Sequence, residues 1–113
     1  MTWFDAQARC EKEGSNLASV QTVEEKQFMV TLDSLDNYVW IGGNDIDTEG
    51  SWVWIDGSAW NYTNWGSGEP NNCCGTPNTC CGGEHCVEMR GTGNGNWNDQ
   101  DCNDRLPFIC KKK

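Results

Sequence analysis

Glu69-Pro70-Asn71, Glu84 and Trp97-Asn98-Asp99 set five oxygen-bearing side chains and a backbone-bending proline in the C-terminal half of this 113-residue chain. A calcium ion takes six to eight hard oxygen ligands at about 2.3–2.6 Å, and these side chains come close to supplying them. A soft-metal or catalytic centre is less natural. The chain has one histidine, and Cys73, Cys74, Cys80 and Cys81 crowd a single short loop. A half-filled calcium sphere leaves room for the hydroxyls of a ligand.

The rest of the sequence bounds the setting for that site. Its length fits one domain over residues 1–113, with a modest core. Seven tryptophans supply large areas for burial. Eight cysteines, an even count, imply a disulfide framework and an oxidising compartment, hence a secreted or extracellular protein. A cytosolic metal-thiolate protein is the competing reading. The net charge of −9 excludes a generic nucleic-acid binder, and Lys111-Lys112-Lys113 is too short a basic run to reverse that. No apolar run approaches the roughly eighteen residues of a membrane span, and these residues include no secretory signal, so the signal of a secreted protein would have been removed or lie outside them. Carboxylates gather between Asp45 and Asp104 among Gly and Asn residues, which favours metal binding over solubility alone.

Helical signals come first. Thr2 caps a helix with Asp5 in the capping-box place, Trp3, Ala6 and Cys10 share a face, and Gly14 stops it. A second helix starts at Thr22 with Glu25 as its partner and an apolar face of Phe28, Leu32 and Leu35. Strand signals follow: Tyr38-Val39-Trp40-Ile41, ending at Gly42-Gly43, and Ser51-Trp52-Val53-Trp54-Ile55 before a turn at Asp56-Gly57-Ser58. From Trp60 to Gly83 there is no period, and so long an irregular stretch is usually functional or disordered. Strands resume at Cys86-Val87-Glu88-Met89, Asn96-Trp97-Asn98 and Pro107-Phe108-Ile109-Cys110. Helices first and strands later imply an α+β domain.

Trp3…Ala6…Cys10, Leu17-Ala18-Ser19-Val20, Trp40-Ile41-Gly42-Gly43, Trp52-Val53-Trp54, Glu69-Pro70-Asn71, Trp97-Asn98-Asp99 and the two C-terminal cysteines, in this order, resemble a C-type lectin-like domain over nearly the whole chain. The resemblance implies a C-type lectin-like fold, with two helices packed on small antiparallel sheets and a long irregular calcium-binding loop region. It also implies the bridges Cys10–Cys110 and Cys86–Cys102. In the chain-entropy account, closing about 100 residues is worth roughly 4.7 kcal/mol and closing about 15 roughly 3. The second bridge would tie the strand carrying Glu84 to the segment carrying Asn98 and Asp99.

By the same resemblance, Ca2+ and the sugar are both held by Glu69, Asn71, Glu84, Asn98 and Asp99. Glu84 takes the place of the acid two residues before the cysteine matched to Cys86. A cis bond before Pro70, which costs about 0.5–1 kcal/mol for X-Pro, would aim both flanking side chains at one ion. Glu69, Glu84 and Asp99 supply charge. Asn71 and Asn98 supply amide oxygens and each keeps an NH2 donor. Neighbouring sugar hydroxyls can then donate to the acids and accept from the amides. In the family, Glu-Pro-Asn goes with mannose-type sugars bearing equatorial 3- and 4-hydroxyls, and Gln-Pro-Asp with galactose. Mannose, fucose or N-acetylglucosamine is therefore implied. Alone, Glu-Pro-Asn is an ordinary turn and Trp-Asn-Asp a capped strand end; their occurrence together with Glu84 favours the site.

An auxiliary metal site would map onto Asp45, Glu49, Asn72 and Glu84, but the further acid expected at position 85 is His85, a poorer ligand for a hard ion. That site is expected to be weak or empty, with His85 contacting ligand or facing solvent. Cys73, Cys74, Cys80 and Cys81 depart from the family pattern. Pairing of adjacent residues would be strained, which leaves Cys73–Cys80 with Cys74–Cys81, or Cys73–Cys81 with Cys74–Cys80. They read as a stapled insertion, as the rigid wall of a glycan subsite, or as thiolates around zinc. The chain begins almost at its first helix, where the family has a strand pairing with the last one. An open edge there would favour a homo-oligomer. Asn61-Tyr62-Thr63 matches the N-glycosylation pattern. Trp65 either stacks on sugar or packs in the loop.

The leading function is calcium-dependent binding of mannose-type glycans, on microbial or cell surfaces, without catalysis. A single site for a monosaccharide would be weak, about −4 kcal/mol, so useful strength needs several sites. The alternative is a non-catalytic module for a protein or other non-sugar ligand. An enzyme has little to work with: no nucleophile motif accompanies the single histidine, and calcium ligation explains Glu69 and Glu84 better than a glycosidase pair does.

Overall fold

The computed structural model describes residues 1–32, 38–48, 50–66, 69, 84–90 and 95–112. Helix α1, Trp3–Lys12, is capped by Thr2, whose Oγ1 accepts the Asp5 N–H at 3.1 Å. Trp3, Ala6 and Cys10 are buried along it, and Gly14 follows its end with φ +77°, a conformation that suits a residue without Cβ. Strand β1, Ser15–Leu17, comes next, then helix α2, Val23–Leu32. Here Glu25 donates its N–H to Thr22 Oγ1 at 3.1 Å, while its carboxylate accepts the Gln21 N–H at 2.9 Å. The face of α2 differs from the sequence reading. Phe28 is 63% exposed, and the buried residues are Met29 and the stem of Lys26. Lys26, Met29 and Val30 form the inward row at helical spacing, with Lys26 and Val30 set against Gly95 so closely that a Cβ there would lie 2.9 and 2.8 Å from them. Phe28 falls off that row. The side chain of Leu32, and Leu35, lie outside the described part.

The remaining strands are β2 (Tyr38–Asn44), β3 (Val53–Trp54), β4 (Glu84–Arg90), β5 (Trp97–Asp101) and β6 (Cys110–Lys112). They form a four-stranded antiparallel sheet in the order β3-β2-β4-β5 and a two-stranded sheet of β1 and β6. β2 does not stop at Gly42-Gly43. It runs through both because a Cβ on Gly42 would sit 2.7 Å from the Leu17 carbonyl oxygen, and one on Gly43 2.5 Å from Val87 Cγ2. These glycines permit close approach and do not mark a turn. The last strand also begins later than the sequence suggests: Phe108 makes only an isolated bridge to Trp40, and regular pairing starts at Cys110. β1, which carries no strand signal of its own, pairs with β6, with Leu17 opposite Cys110.

Alternation along β2 and β4 divides the core into two clusters. Val39 and Ile41 of β2, with Val87 and Met89 of β4, join Met29, Trp54 and Trp97. Trp40 and Cys86, pointing the other way, join Trp3, Ala6, Cys10, Leu17 and Cys102. Each large side chain so buried is worth roughly 1.5–3 kcal/mol. The structure joins Cys10 to Cys110, with Cα atoms 5.6 Å apart, and Cys86 to Cys102 at 5.2 Å. The N-terminal segment lies against residues 102–106, since the Trp3 N–H donates to the Cys102 carbonyl at 2.9 Å and Met1 and Leu106 exchange hydrogen bonds.

Candidate metal centre and the cleft beside it

β4 and β5 form the platform. Their register pairs Glu84 with Asp101, then shifts, and pairs Val87 with Asp99, Glu88 with Asn98 and Met89 with Trp97. Cys86–Cys102 fastens the end of this ladder. Trp97 is fully buried and anchors the other end, with Trp54, Tyr62 and Trp65 edge-on to it at 5.4–5.9 Å. Residues 64–66 run parallel to the start of β5. The Trp97 N–H donates to the Asn64 carbonyl and the Gly66 N–H donates to the Trp97 carbonyl, both at 2.9 Å. The Glu69 N–H donates to the Gly66 carbonyl at 3.0 Å. Trp65 is half-buried within the tryptophan cluster. Asn61 is exposed.

This arrangement places Glu69 and Asn98 in one cleft of about 280 Å³, together with Gly66, Trp97, Tyr38, Asn96 and Arg90. Glu84 and Asp99 lie outside its lining. Strand alternation sends Asp99, fully buried, to the face of Trp97, and Asn98 to the face of Glu88. Glu84 is 5% exposed at the start of β4. Among the described residues, no three of the His, Cys, Asp and Glu side chains gather as a metal cluster. Pro70, Asn71, Asn72, Glu49 and the four loop cysteines lie outside the described residues.

Glu88 is the residue the sequence reading missed. It is 4% exposed, and its Oε1 accepts from Asn98 Nδ2 at 2.7 Å. One donor of the Asn98 amide is therefore already engaged, and the amide is held in a fixed orientation. Burial pushes the Glu88 carboxyl above its ordinary range, with Asp104 and Asp99 adding to the effect and the amides of Asn98 and Gln100 opposing it. A carboxylate in the otherwise apolar run Val87-Glu88-Met89 was the available signal; its partner depends on a register that sequence does not print.

His85, partly exposed, pairs with Asp45. Its Nδ1 lies 3.0 Å from Asp45 Oδ1, while Asp45 Oδ2 accepts the Gly50 N–H at 2.8 Å. The Asp45 side chain is fully buried, and both its oxygens are engaged.

Glu84, Glu88 and Asp99 thus put three carboxylates of 5%, 4% and 0% exposure on two adjacent strands. Glu88 lies on the face opposite Asp99, so the three do not gather as one cluster. The donors are all oxygens, the chemistry of a hard ion such as calcium.

The family model for the lectin C-type domain matches residues 1–112. The chain belongs to the C-type lectin domain family. The fold is the C-type lectin fold, two helices with small antiparallel sheets. Domains of this family are generally non-catalytic carbohydrate-binding modules and typically bind Ca2+. This C-type lectin domain is similar to human C-type mannose receptor 2, 37% identical over 114 residues, which cover all of this chain and 7% of that protein. It is similar to the galactose-specific lectin nattectin of Thalassophryne nattereri, 36% identical over 99% of this chain and 68% of the relative. Among solved structures it superposes on a calcium-independent type II antifreeze protein with a TM-score of 0.83 and 30% identity, covering 97% of this chain and 77% of that one. No helix among the described residues is long and apolar enough to cross a membrane.

Proposed function

We propose that this C-type lectin domain is a secreted or extracellular, non-catalytic module that binds mannose-type sugars, mannose, fucose or N-acetylglucosamine, in a calcium-dependent way. The observation that carries the reading is the polar cleft shared by Glu69 and Asn98, backed by the buried carboxylates Glu84 and Asp99 on β4 and β5. With Asn71, these residues would hold the ion, which when bound offers open coordination positions to vicinal hydroxyls. Glu69 and Glu84 would accept hydrogen bonds from the sugar. Asn98, steadied by Glu88, would turn its carbonyl oxygen to the ion and its remaining N–H to the ligand. The order Glu69-Pro70-Asn71 supports mannose-type sugars over galactose.

The test is retention on immobilised mannose with calcium, elution by chelator, and competition by free galactose. Retention abolished by chelator and unaffected by galactose supports the reading; displacement by galactose in preference to mannose would sink the specificity. Calcium at a hundred times its dissociation constant should stabilise the fold by about 2.7 kcal/mol. A melting temperature indifferent to calcium contradicts the site. The calcium-independent antifreeze relative keeps a second reading in play, a module for a non-sugar ligand, which flow-through from the mannose column would favour.

A further inference from the structure

We propose that the cleft beside Asn98 is a subsite for an anionic group on the bound sugar, a sulfate ester or a carboxylate, and that Arg90 recognises it. This inference rests on the carbohydrate-binding reading above. Tyr38 and Arg90 are register partners on β2 and β4, so their side chains rise side by side from one face of the sheet. Glu69, Asn96 and Asn98 complete the same cleft. Arg90 is exposed, and among the described residues no ion pair holds it, whereas Lys111 is committed to Glu25 at 2.7 Å.

A guanidinium presents five N–H donors in a planar fork that matches a carboxylate or a sulfate-like oxyanion. Tyr38, 40% exposed, adds a hydroxyl to that wall, and Asn96 adds an amide. Glu69, on the same cleft, is the acid assigned to the ion, so its charge is compensated when sugar is bound. At about 280 Å³ the cleft is near the lower limit of small-molecule pockets, large enough for one substituted ring. With a net charge of −9 the chain repels anions at long range, so Arg90 acts by contact. Its effect should therefore appear in the dissociation rate more than in association.

The experiment is competition against immobilised mannose in calcium buffer, using methyl α-mannoside, its 2-sulfate and 6-sulfate, and mannuronic acid, with the intact chain, Arg90→Ala and Arg90→Lys. At least one anionic sugar should compete about tenfold better than the mannoside on the intact chain. Arg90→Ala should reduce that sugar to the level of the mannoside measured on the same variant, and Arg90→Lys should keep part of the gain. A gain confined to the sulfates identifies sulfate as the group; one confined to mannuronic acid identifies the carboxylate. Equal competition by all four, or a preference that survives Arg90→Ala, overturns the subsite while leaving mannoside binding, and with it the lectin reading, intact. Absence of any retention on mannose overturns both.

Discussion

The two apolar clusters on either face of β2 and β4 are built by different means. Cys10, Trp40, Cys86 and Cys102 belong to a cluster crossed by both described disulfides, one of them spanning 100 residues of sequence. The cluster under Trp97 has no such staple among the described residues; indole rings packed edge-on hold it. The first would survive loosening of its packing because its ends cannot separate. The second depends on shape, and it supports the strand that carries Asn98 and Asp99. The frame of the domain and the footing of its candidate site are therefore separable.

Trp97→Ala tests that separation most severely. It should cost roughly 3–5 kcal/mol in denaturant unfolding and weaken calcium binding with it. A cost below about 1 kcal/mol would mean that Cys86–Cys102 alone fixes β5, and the contrast would fail. Replacing Cys10 and Cys110 by Ser should cost about 2–5 kcal/mol of global stability. It should leave the calcium dissociation constant of the still-folded protein within about twofold, because the bridge lies in the other cluster. Glu88→Ala, which releases the Asn98 amide, should cost about 1.5–3 kcal/mol and weaken calcium binding, while Glu88→Gln, still able to accept from Asn98, should lose much less. Isothermal titration and thermal melts on the two variants separate the outcomes.

The smallest effect lies far from the site, where Lys111 reaches Glu25 and the backbone and hydroxyl of Ser19. Burial tends to raise the Glu25 carboxyl, but the hydrogen bonds from Lys111 and the Gln21 N–H outweigh it and hold the group below its ordinary 4.5. Asp56 behaves alike, below 3.8: burial raises it, and Ser19 and Ser58 more than compensate. A carboxyl lowered in the folded state contributes stability above its unfolded pKa and loses it as pH falls through the folded one. Lys111→Met should therefore cost under about 1 kcal/mol at pH 7, and melts of variant and parent should converge below pH 4. A difference that persists there would assign the loss to packing of the lysine stem.

What was legible in the sequence was local. Thr2 and Thr22 announced both helices because caps are decided within a few residues. Trp3, Ala6 and Cys10 gave the inward face of α1 for the same reason. What was not legible was tertiary. Phe28 has the period of a core residue, yet the inward row of α2 is fixed by its approach to Gly95. Gly42-Gly43 resembles a strand end, but its purpose is contact with Leu17 and Val87, distant in sequence. At the site, residue types and order singled out Glu69, Glu84, Asn98 and Asp99. Strand register, which sequence does not encode locally, brought Glu88 to Asn98 and Arg90 to Tyr38. His85 is by residue type a poor ligand for a hard ion, but its pairing with Asp45 depends on the sheet.

Trp52, Trp54, Trp60, Trp65 and Trp97, with neighbouring ring centroids 4.4–6.4 Å apart, also have an optical consequence. Indoles this close couple through their intense far-ultraviolet transition, so the group should give a circular dichroism couplet in that region. Because Trp97 belongs both to this group and to the strand carrying Asn98, binding at the cleft should alter that signal without an added label. The domain carries its own spectroscopic gauge of its site.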